Sequence, residues 1–408
     1  MSRVAVTGLG IICCLGQGVN KVWPRLVAGE TDFGEISLPG FDQFQNRIGG
    51  QVDDDLLAHA SSLLPRVSRH ERLGWLAASE ALADAAFPKD LYLDSQIGVA
   101  AGIGAAGMLE AEEWVAQRDD RQKFVPAWKL HSYPASSLAD FLAATFRFSG
   151  PRFSIATACS SSATSLGFAA DAIRKGRAKA FMVAGAEGLS RLTYGGFHSL
   201  HSIAPERCQP FDKNRKGIFL GEGAGVLILE DWQEATTRNA TIYGEVLSWG
   251  LSSDAYHMTA PHPEGRGAVM AMEQALERAA LQAKDINYIN LHGTGTLHND
   301  LAESKAVQRV FGNYCKDLCV SSTKSMTGHC LGAAGAMESV FSLLALHHSM
   351  APPTAGLETP DGQCPLNYMP GQGKSMPQMK YVMNNVLAFG GNNVALLFGK
   401  DEERGHDD

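Results

Sequence analysis

The chain of 408 residues is 45% hydrophobic and 19% charged, which describes a globular protein with a large core and the length of two or three domains. A net charge of −8 argues against nucleic acid as the main partner, and no run of about 18 uninterrupted apolar residues offers a membrane-spanning helix. The eight cysteines (13, 14, 159, 208, 315, 319, 330 and 364) form neither a disulfide nor a zinc framework, so a reducing cytoplasm is expected and a metal is not. Residues 4–7 read as a strand followed by a glycine-rich turn rather than as a signal peptide, with Cys13 and Cys14 as core. A helix is expected over 66–87, where Trp75, Ala78, Leu82 and Ala85 recur at helical spacing. Its start carries Arg66, Arg69, His70 and Arg72, on composition alone a solvated basic face. A strand at 97–101 leads into Gly102-Ile-Gly-Ala-Ala-Gly-Met108-Leu109. This stretch has neither the Lys-Ser/Thr of a phosphate loop nor dinucleotide spacing, and reads as packing. A loop at 126–134 and a helix at 135–146 follow.

The next stretch is the one on which the chemistry turns. Residues 153–157 read as a short buried strand, and the Ala-, Ser- and Gly-rich run from Ser160 to about residue 177 has the period of a packed helix. Cys159 falls at the handover, where free amides and the helix dipole favour a thiolate. A free cysteine taken alone is more often a small buried hydrophobe. Two later loops change that reading. His292 in Leu291-His-Gly-Thr294-Gly-Thr296 follows the strand-like 288–291, and His329 closes Val320-Ser-Ser-Thr-Lys324-Ser-Met-Thr-Gly-His329 before another Ala/Gly-rich helix. One Cys and two His on loops that follow strands make an activated-nucleophile constellation, exposed enough to need a reducing environment.

Between these loops lie a buried strand at 180–187, a turn-rich loop at 210–217 and a strand at 226–231. The glycines, apolar strand and acidic end of 221–231 are echoed at 390–401, and the Cys159 unit is echoed by 320–346. The echoes suggest duplicated halves joined near 232–241. The second half opens with a strand at 241 and Ser252-Ser-Asp254-Ala-Tyr-His257-Met-Thr259, then a helix at 268–283.

Thr157-Ala-Cys-Ser-Ser-Ser162, His292-Gly-Thr-Gly-Thr296, Lys324-Ser-Met-Thr-Gly-His329 and Ala388-Phe-Gly-Gly-Asn-Asn393 stand in the order found in the elongating β-ketoacyl-acyl carrier protein synthases. The chain resembles that family, condensing enzymes of the thiolase superfamily, over nearly its whole length. The resemblance implies an α/β thiolase-like fold of two duplicated halves, 1–240 and 241–408. Each half would supply a mixed five-stranded sheet to a five-layer α-β-α-β-α sandwich, with one thin Ala/Gly helix from each half buried between the sheets.

The implied reaction is transfer of an acyl chain to Cys159 and its elongation by decarboxylative Claisen condensation with malonyl-acyl carrier protein, in fatty-acid, polyketide or polyene synthesis, without a cofactor. By resemblance, His292 and His329 stabilise the enolate, and His292 also has the option of acting as a base on water. Lys324 is a buried partner, with Glu338 its counter-charge and the organiser of His329. The backbone N–H groups of Cys159 and Phe389 make the oxyanion hole, and Phe389 gates the acyl chain. Thr259, Thr294 and Thr296 contact the pantetheine arm, Met108, Leu109 and Phe197 line the acyl pocket, and Arg66, Arg69 and Arg72 dock an acidic acyl carrier protein. Asp300 and Glu303 read equally as helix caps or as catalytic groups. The implied assembly is a homodimer, or a heterodimer with a chain-length factor. In it the 153–157 strand pairs across the two-fold and the 126–134 loop, with Tyr133, reaches the partner's pocket. A thiolase would use a second Cys, an initiating enzyme His and Asn, and a chain-length or scaffold subunit would lack or not use the nucleophile.

Overall fold

The computed structural model describes residues 2–87, 97–118 and 125–400. Strand β1 (Val4–Cys13) is buried along its whole length, well beyond the 4–7 expected from the sequence. Its glycines explain both the extension and what covers it. A Cβ on Gly8 would lie 2.2 Å from the carbonyl oxygen of Ala81, and one on Gly10 1.9 Å from that of Ala77. Helix α1 (Arg69–Asp84) therefore lies directly on the strand, with Ala77, Ala78 and Ala81 fully buried. It starts at Arg69, not at residue 66, because Ser68 and Glu71 form a reciprocal capping box there.

Strands β2 (Ile97–Gly102), β3 (Arg152–Ile155), β4 (Ala180–Glu187) and β5 (Gly223–Asp231) complete the first run of five. They stand in the spatial order β3-β2-β4-β5-β1, with β2 parallel to β3 and β4, and β5 antiparallel to β4 and β1. The second run is β6 (Gly244–Ser253), β7 (Tyr288–Asn290), β8 (Cys319–Ser321), β9 (Tyr381–Leu387) and β10 (Asn392–Gly399). Its order, β8-β7-β9-β10-β6, and every strand direction repeat the first. The echo at 390–401 belongs to this repetition, since β10 is the topological equivalent of β5. The two sheets meet where β1 pairs with β6 through Ala5↔Glu245 and Val6↔Gly244.

Two helices lie between the sheets, α3 (Ser161–Arg174) and α6 (Ala334–His348); α2 (Met108–Arg118), α4 (Arg266–Ala279) and α5 (Leu297–Phe311) lie outside them. Helix α3 packs against β2 and β4 of one sheet and β10 of the other, and α6 against β9 and β5. Every residue from Ala334 to Leu346 is buried. The small residues let the two helices touch: a Cβ on Gly335 would come 2.6 Å from the backbone nitrogen of Ala163. Among the described residues, no helix is long and apolar enough to cross a membrane. The fold is the mixed α/β thiolase-like sandwich that the resemblance implied.

Candidate active site

The chain leaves β3 at Ile155 and turns through Ala158-Cys159-Ser160 into α3. Ala158 has φ +51°, in the left-handed region that costs a non-glycine residue roughly 1–2 kcal/mol. Serines hold that turn. Ser161 Oγ accepts the N–H of Thr157 at 2.9 Å and donates to the Ile103 carbonyl at 3.0 Å, while Ser160 Oγ donates to the Thr157 carbonyl at 2.9 Å. The small Ser run thus fixes Cys159 on the first turn of a buried helix.

His292 sits just past β7 on backbone held by a carboxylate. Glu303, fully buried on α5, accepts the N–H of His292 at 2.7 Å and of Gly293 at 2.8 Å. His329 follows the short helix Lys324–Thr327, and its N–H donates to the Phe219 carbonyl at 2.8 Å. The three loops converge. His329 Nε2 is 3.1 Å from Cys159 Sγ, and the His292 and His329 rings meet edge to face at 5.2 Å. The N–H of Phe389 also donates to the Cys159 sulfur. Lys324 Nζ lies 3.0 Å from His292 Nδ1 and is ion-paired with Glu338.

Two expectations are corrected here. Glu338 reaches the histidines only through Lys324, whose amine lies against His292 Nδ1, and no hydrogen bond joins Glu338 to His329 among the described residues. Cys159 is 4% exposed, so the sulfur is not the open thiolate read from the sequence. Burial pushes its thiol up to about 11, against the pull of the Lys324 charge and the Phe389 N–H. Burial, with Lys324 next, holds both imidazoles well below the usual histidine range and therefore neutral. Burial also pushes Glu338 up to about 7 and Glu303 to about 8.

A cavity of about 310 Å³ opens onto Cys159, His292 and His329. Thr259, Thr294 and Thr296 line it, with the hydroxyls of Thr294 and Thr296 2.9 Å apart. Phe197 and Phe389 line it as well, their rings stacked 5.3 Å apart at 26°. Met108 and Leu109 do not. Met108 opens α2, and Leu109 packs with Phe41, Tyr194 and Leu331 in an apolar cluster that reaches the cavity only through Phe197 and Ile218.

The arginines divide. Arg69 is 8% exposed; its guanidinium grips Glu222 at 2.6 Å, Asp54 at 2.6 Å and the Val52 carbonyl at 2.9 Å. That is a structural ion pair, and the docking role expected for Arg69 is withdrawn, since Glu222, Asp54 and the Val52 carbonyl occupy its guanidinium donors. Arg72 is half-buried against Ser61, and Arg66 alone is exposed.

Sequence reading passed over Glu187 and Asp254, and left Glu303 between a helix cap and a catalytic group. Glu303 lies three and four residues before Ala306 and Val307, on the apolar stripe of α5, and that misplacement of a charge was the available signal. Glu187, fully buried at the end of β4, accepts the N–H groups of Gly104 and Ala105. Asp254 lines the cavity and ties the N–H of His262 and the Asn393 amide, both at 3.0 Å.

Family comparisons agree with this geometry. Residues 1–235 match the N-terminal domain of β-ketoacyl synthases and residues 243–358 the C-terminal domain. The 3-oxoacyl-[acyl-carrier-protein] synthases 2 of Synechocystis sp. and Coxiella burnetii are each 35% identical, over 98% of this chain and 98% of theirs. Among solved structures, the ishigamide ketosynthase/chain length factor superposes with a TM-score of 0.91 at 31% identity, covering 98% of this chain and 100% of that one. A ketosynthase solved with its type II PKS acyl-carrier protein and bound to a hexaketide gives 0.89 at 30%, with the same coverage. The chain belongs to the β-ketoacyl synthase family.

Proposed function

We propose that the protein is a β-ketoacyl-acyl carrier protein synthase that loads an acyl chain onto Cys159 and lengthens it by two carbons with malonyl-acyl carrier protein. The observation that carries the reading is the 3.1 Å contact of His329 Nε2 with Cys159 Sγ, beside a second neutral imidazole, in one cavity. In the first half-reaction the sulfur attacks the acyl thioester. His329 Nε2 is the group in reach to take the thiol proton and pass it to the departing pantetheine sulfur. The tetrahedral oxyanion forms against the N–H groups of Cys159 and Phe389, each donor contributing on the order of 3 kcal/mol.

In the second half-reaction malonyl thioester loses carbon dioxide. The enolate oxygen receives N–H from His292 and His329, and neutral rings suit a donor that must not surrender its proton to the nascent carbanion. The carbanion then attacks the acyl-Cys159 carbonyl, the C–S bond breaks, and Cys159 leaves as thiolate and takes up one proton. Thr259, Thr294 and Thr296 hold the pantetheine arm, Phe197 and Phe389 meet the acyl chain, and Lys324 with Glu338 positions His292.

The halves act as two units, 1–240 carrying the nucleophile and 241–408 the two histidines. Free thiols throughout the described chain fit a reducing cytoplasm. The protein works as a homodimer, or as a heterodimer with a related chain-length factor. Strand β3 ends its sheet with one side unpaired among the described residues, and Tyr133 on the neighbouring loop is 50% exposed. A stable, active monomer in sedimentation would count against that assembly. The reaction itself is tested by mass spectrometry of the protein after incubation with acyl-pantetheine thioesters. A gain of one acyl mass mapped to the Cys159 peptide is expected, and acylation at Cys208 or Cys330, or none, would overturn the reading.

A further inference from the structure

Cys159 and His329 are each placed by the backbone around them. The Cys159 turn hangs on the segment that follows β2, because Ser161 Oγ donates to the Ile103 carbonyl at 3.0 Å. His329 Nδ1 has no hydrogen-bond partner among the described residues, so the ring that meets Cys159 Sγ at 3.1 Å takes its position from the chain on either side. On one side the His329 N–H donates to the Phe219 carbonyl at 2.8 Å. On the other the chain turns at Leu331 and Gly332 before α6 begins.

One buried carboxylate joins these two segments. Glu187, fully buried at the end of β4, accepts the N–H of Gly104 and, at 3.0 Å, that of Ala105. It also accepts the N–H of Ala106 on the same segment and that of Gly332 on the other. The segments meet so closely that a Cβ on Gly332 would lie 2.3 Å from the Gly104 nitrogen and 2.6 Å from Glu187 Oε1. Both pass through left-handed backbone at non-glycine residues, Ala106 at φ +51° and Leu331 at φ +45°. Such turns persist only where their surroundings hold them. Four N–H groups converging on one carboxylate supply that hold, since an ionised carboxylate only accepts and has lone pairs for all four. His292 has a comparable support in Glu303, which accepts the N–H groups of His292 and Gly293.

We propose that Glu187 is a positioning residue for the condensing reaction, setting the Cys159–His329 contact by clamping residues 104–106 to Gly332. Its side chain does not line the cavity, so it acts through the turns it holds. The role rests on the condensing function proposed above.

The test is a double-mutant cycle on the full-length protein at pH 8, read as the single-turnover rate of Cys159 acylation by octanoyl-pantetheine. Glu187→Gln keeps the shape of the side chain but turns one accepting oxygen into a donor that faces backbone N–H groups. Alone, it is expected to slow acylation about tenfold or more. In a His329→Ala background, where no contact is left to position, it should slow the remaining acylation by less than about threefold. A side chain that merely held the fold would give the same loss in both backgrounds. That additive result would overturn the proposal, as would Glu187→Gln protein acylated at the unsubstituted rate. If thermal melting shows that Glu187→Gln does not fold, Glu187→Asp, one methylene shorter than the span between the segments, takes its place in the cycle. Two unfolded variants would make Glu187 a residue of the core alone and would equally overturn the role. Failure of the unsubstituted protein to be acylated at Cys159 by any thioester would instead overturn the condensing function, and the positioning role with it.

Discussion

Lys324 Nζ stands 3.0 Å from His292 Nδ1, whereas His329 Nδ1 has no hydrogen-bond partner among the described residues. An ammonium only donates, so Nδ1 of His292 accepts and its proton is fixed on Nε2. His292 is a permanent N–H donor. No such contact fixes the tautomer of His329, and the two roles proposed for it call for both: Nε2 accepts a proton from Cys159 in the first half-reaction and donates N–H in the second.

Removing the lysine amine therefore separates the half-reactions. Lys324→Ala is expected to slow carbon dioxide release from malonyl thioester about a hundredfold or more, and Cys159 acylation by less than about tenfold. The variant also leaves Glu338 buried without its counter-charge, a loss of several kcal/mol that Lys324→Ala/Glu338→Ala should largely restore. Radiolabelled decarboxylation, single-turnover acylation and thermal melts of the two variants check this. Equal losses in both half-reactions, persisting in the stable double variant, would remove the special tie to His292.

Much of this site was legible because its residues sit in glycine- and hydroxyl-rich loops after strands, where chemistry is placed by the fold. Cys159, His292, His329, Phe389 and the three threonines line one cavity. The failures have a common cause. Arg69 and Glu303 are charges whose partners, Glu222 and the backbone of His292–Gly293, come from elsewhere in the fold, so spacing reads one as a solvated face and leaves the other between a cap and a catalytic group. Met108 and Leu109 share the fate of any apolar pair: the pattern says buried, and only the packing says against what. Strand β1 was cut short because its glycines look like a turn until α1 is laid over them.

The thiol of Cys159 gives a pH prediction. Its folded-state value is raised, so the thiolate fraction is small near neutrality and grows about tenfold per pH unit below that value. Alkylation by iodoacetamide should rise through pH 9 without levelling. A plateau already reached below pH 8 would mean that Lys324, the Phe389 N–H and the helix start outweigh burial.

Glu187 carries a second pH dependence, in stability. Burial raises it to about 7, above the value of about 4.3 for an unfolded chain, so the folded state binds the proton more tightly. The stabilisation from that proton is fully present below about pH 4, and is lost at about 1.4 kcal/mol per pH unit as pH rises from roughly 5 to 7. Glu187→Gln disturbs the bonds to Gly104 and Ala105, so it lowers stability at every pH, but it should flatten this slope. Parallel denaturation profiles for the two proteins across pH 5 to 8 would assign the slope to other groups.

The last prediction concerns the gate. Phe389 stacks on Phe197 in this state, so admitting a long acyl chain requires the Phe389 backbone to turn and break the stack. Ala388 holds φ −133°, an ordinary extended value, and takes no part in the left-handed turn that follows. Gly390 and Gly391 make that turn, at φ +81° and +76°. A Cβ on Gly391 would come 2.8 Å from Asp254 Cβ, so its freedom is limited by contact, whereas one on Gly390 meets only the Asn392 amide at 3.2 Å. Gly390 is thus the position where conformation alone, not space, demands glycine, and its N–H is also the link to Met258. Gly390→Ala is expected to cost about 1–2 kcal/mol in backbone strain and to slow acylation by a dodecanoyl thioester about tenfold, with acetyl transfer nearly unchanged. Ala388→Gly should change neither by more than about twofold, because the residue needs no positive φ. Stopped-flow acylation of the two variants with both chain lengths decides between the sides of the hinge. If Ala388→Gly alone speeds long-chain transfer severalfold while Gly390→Ala is silent, the backbone turns on the N-terminal side of Phe389 and the glycine pair serves only to close the turn.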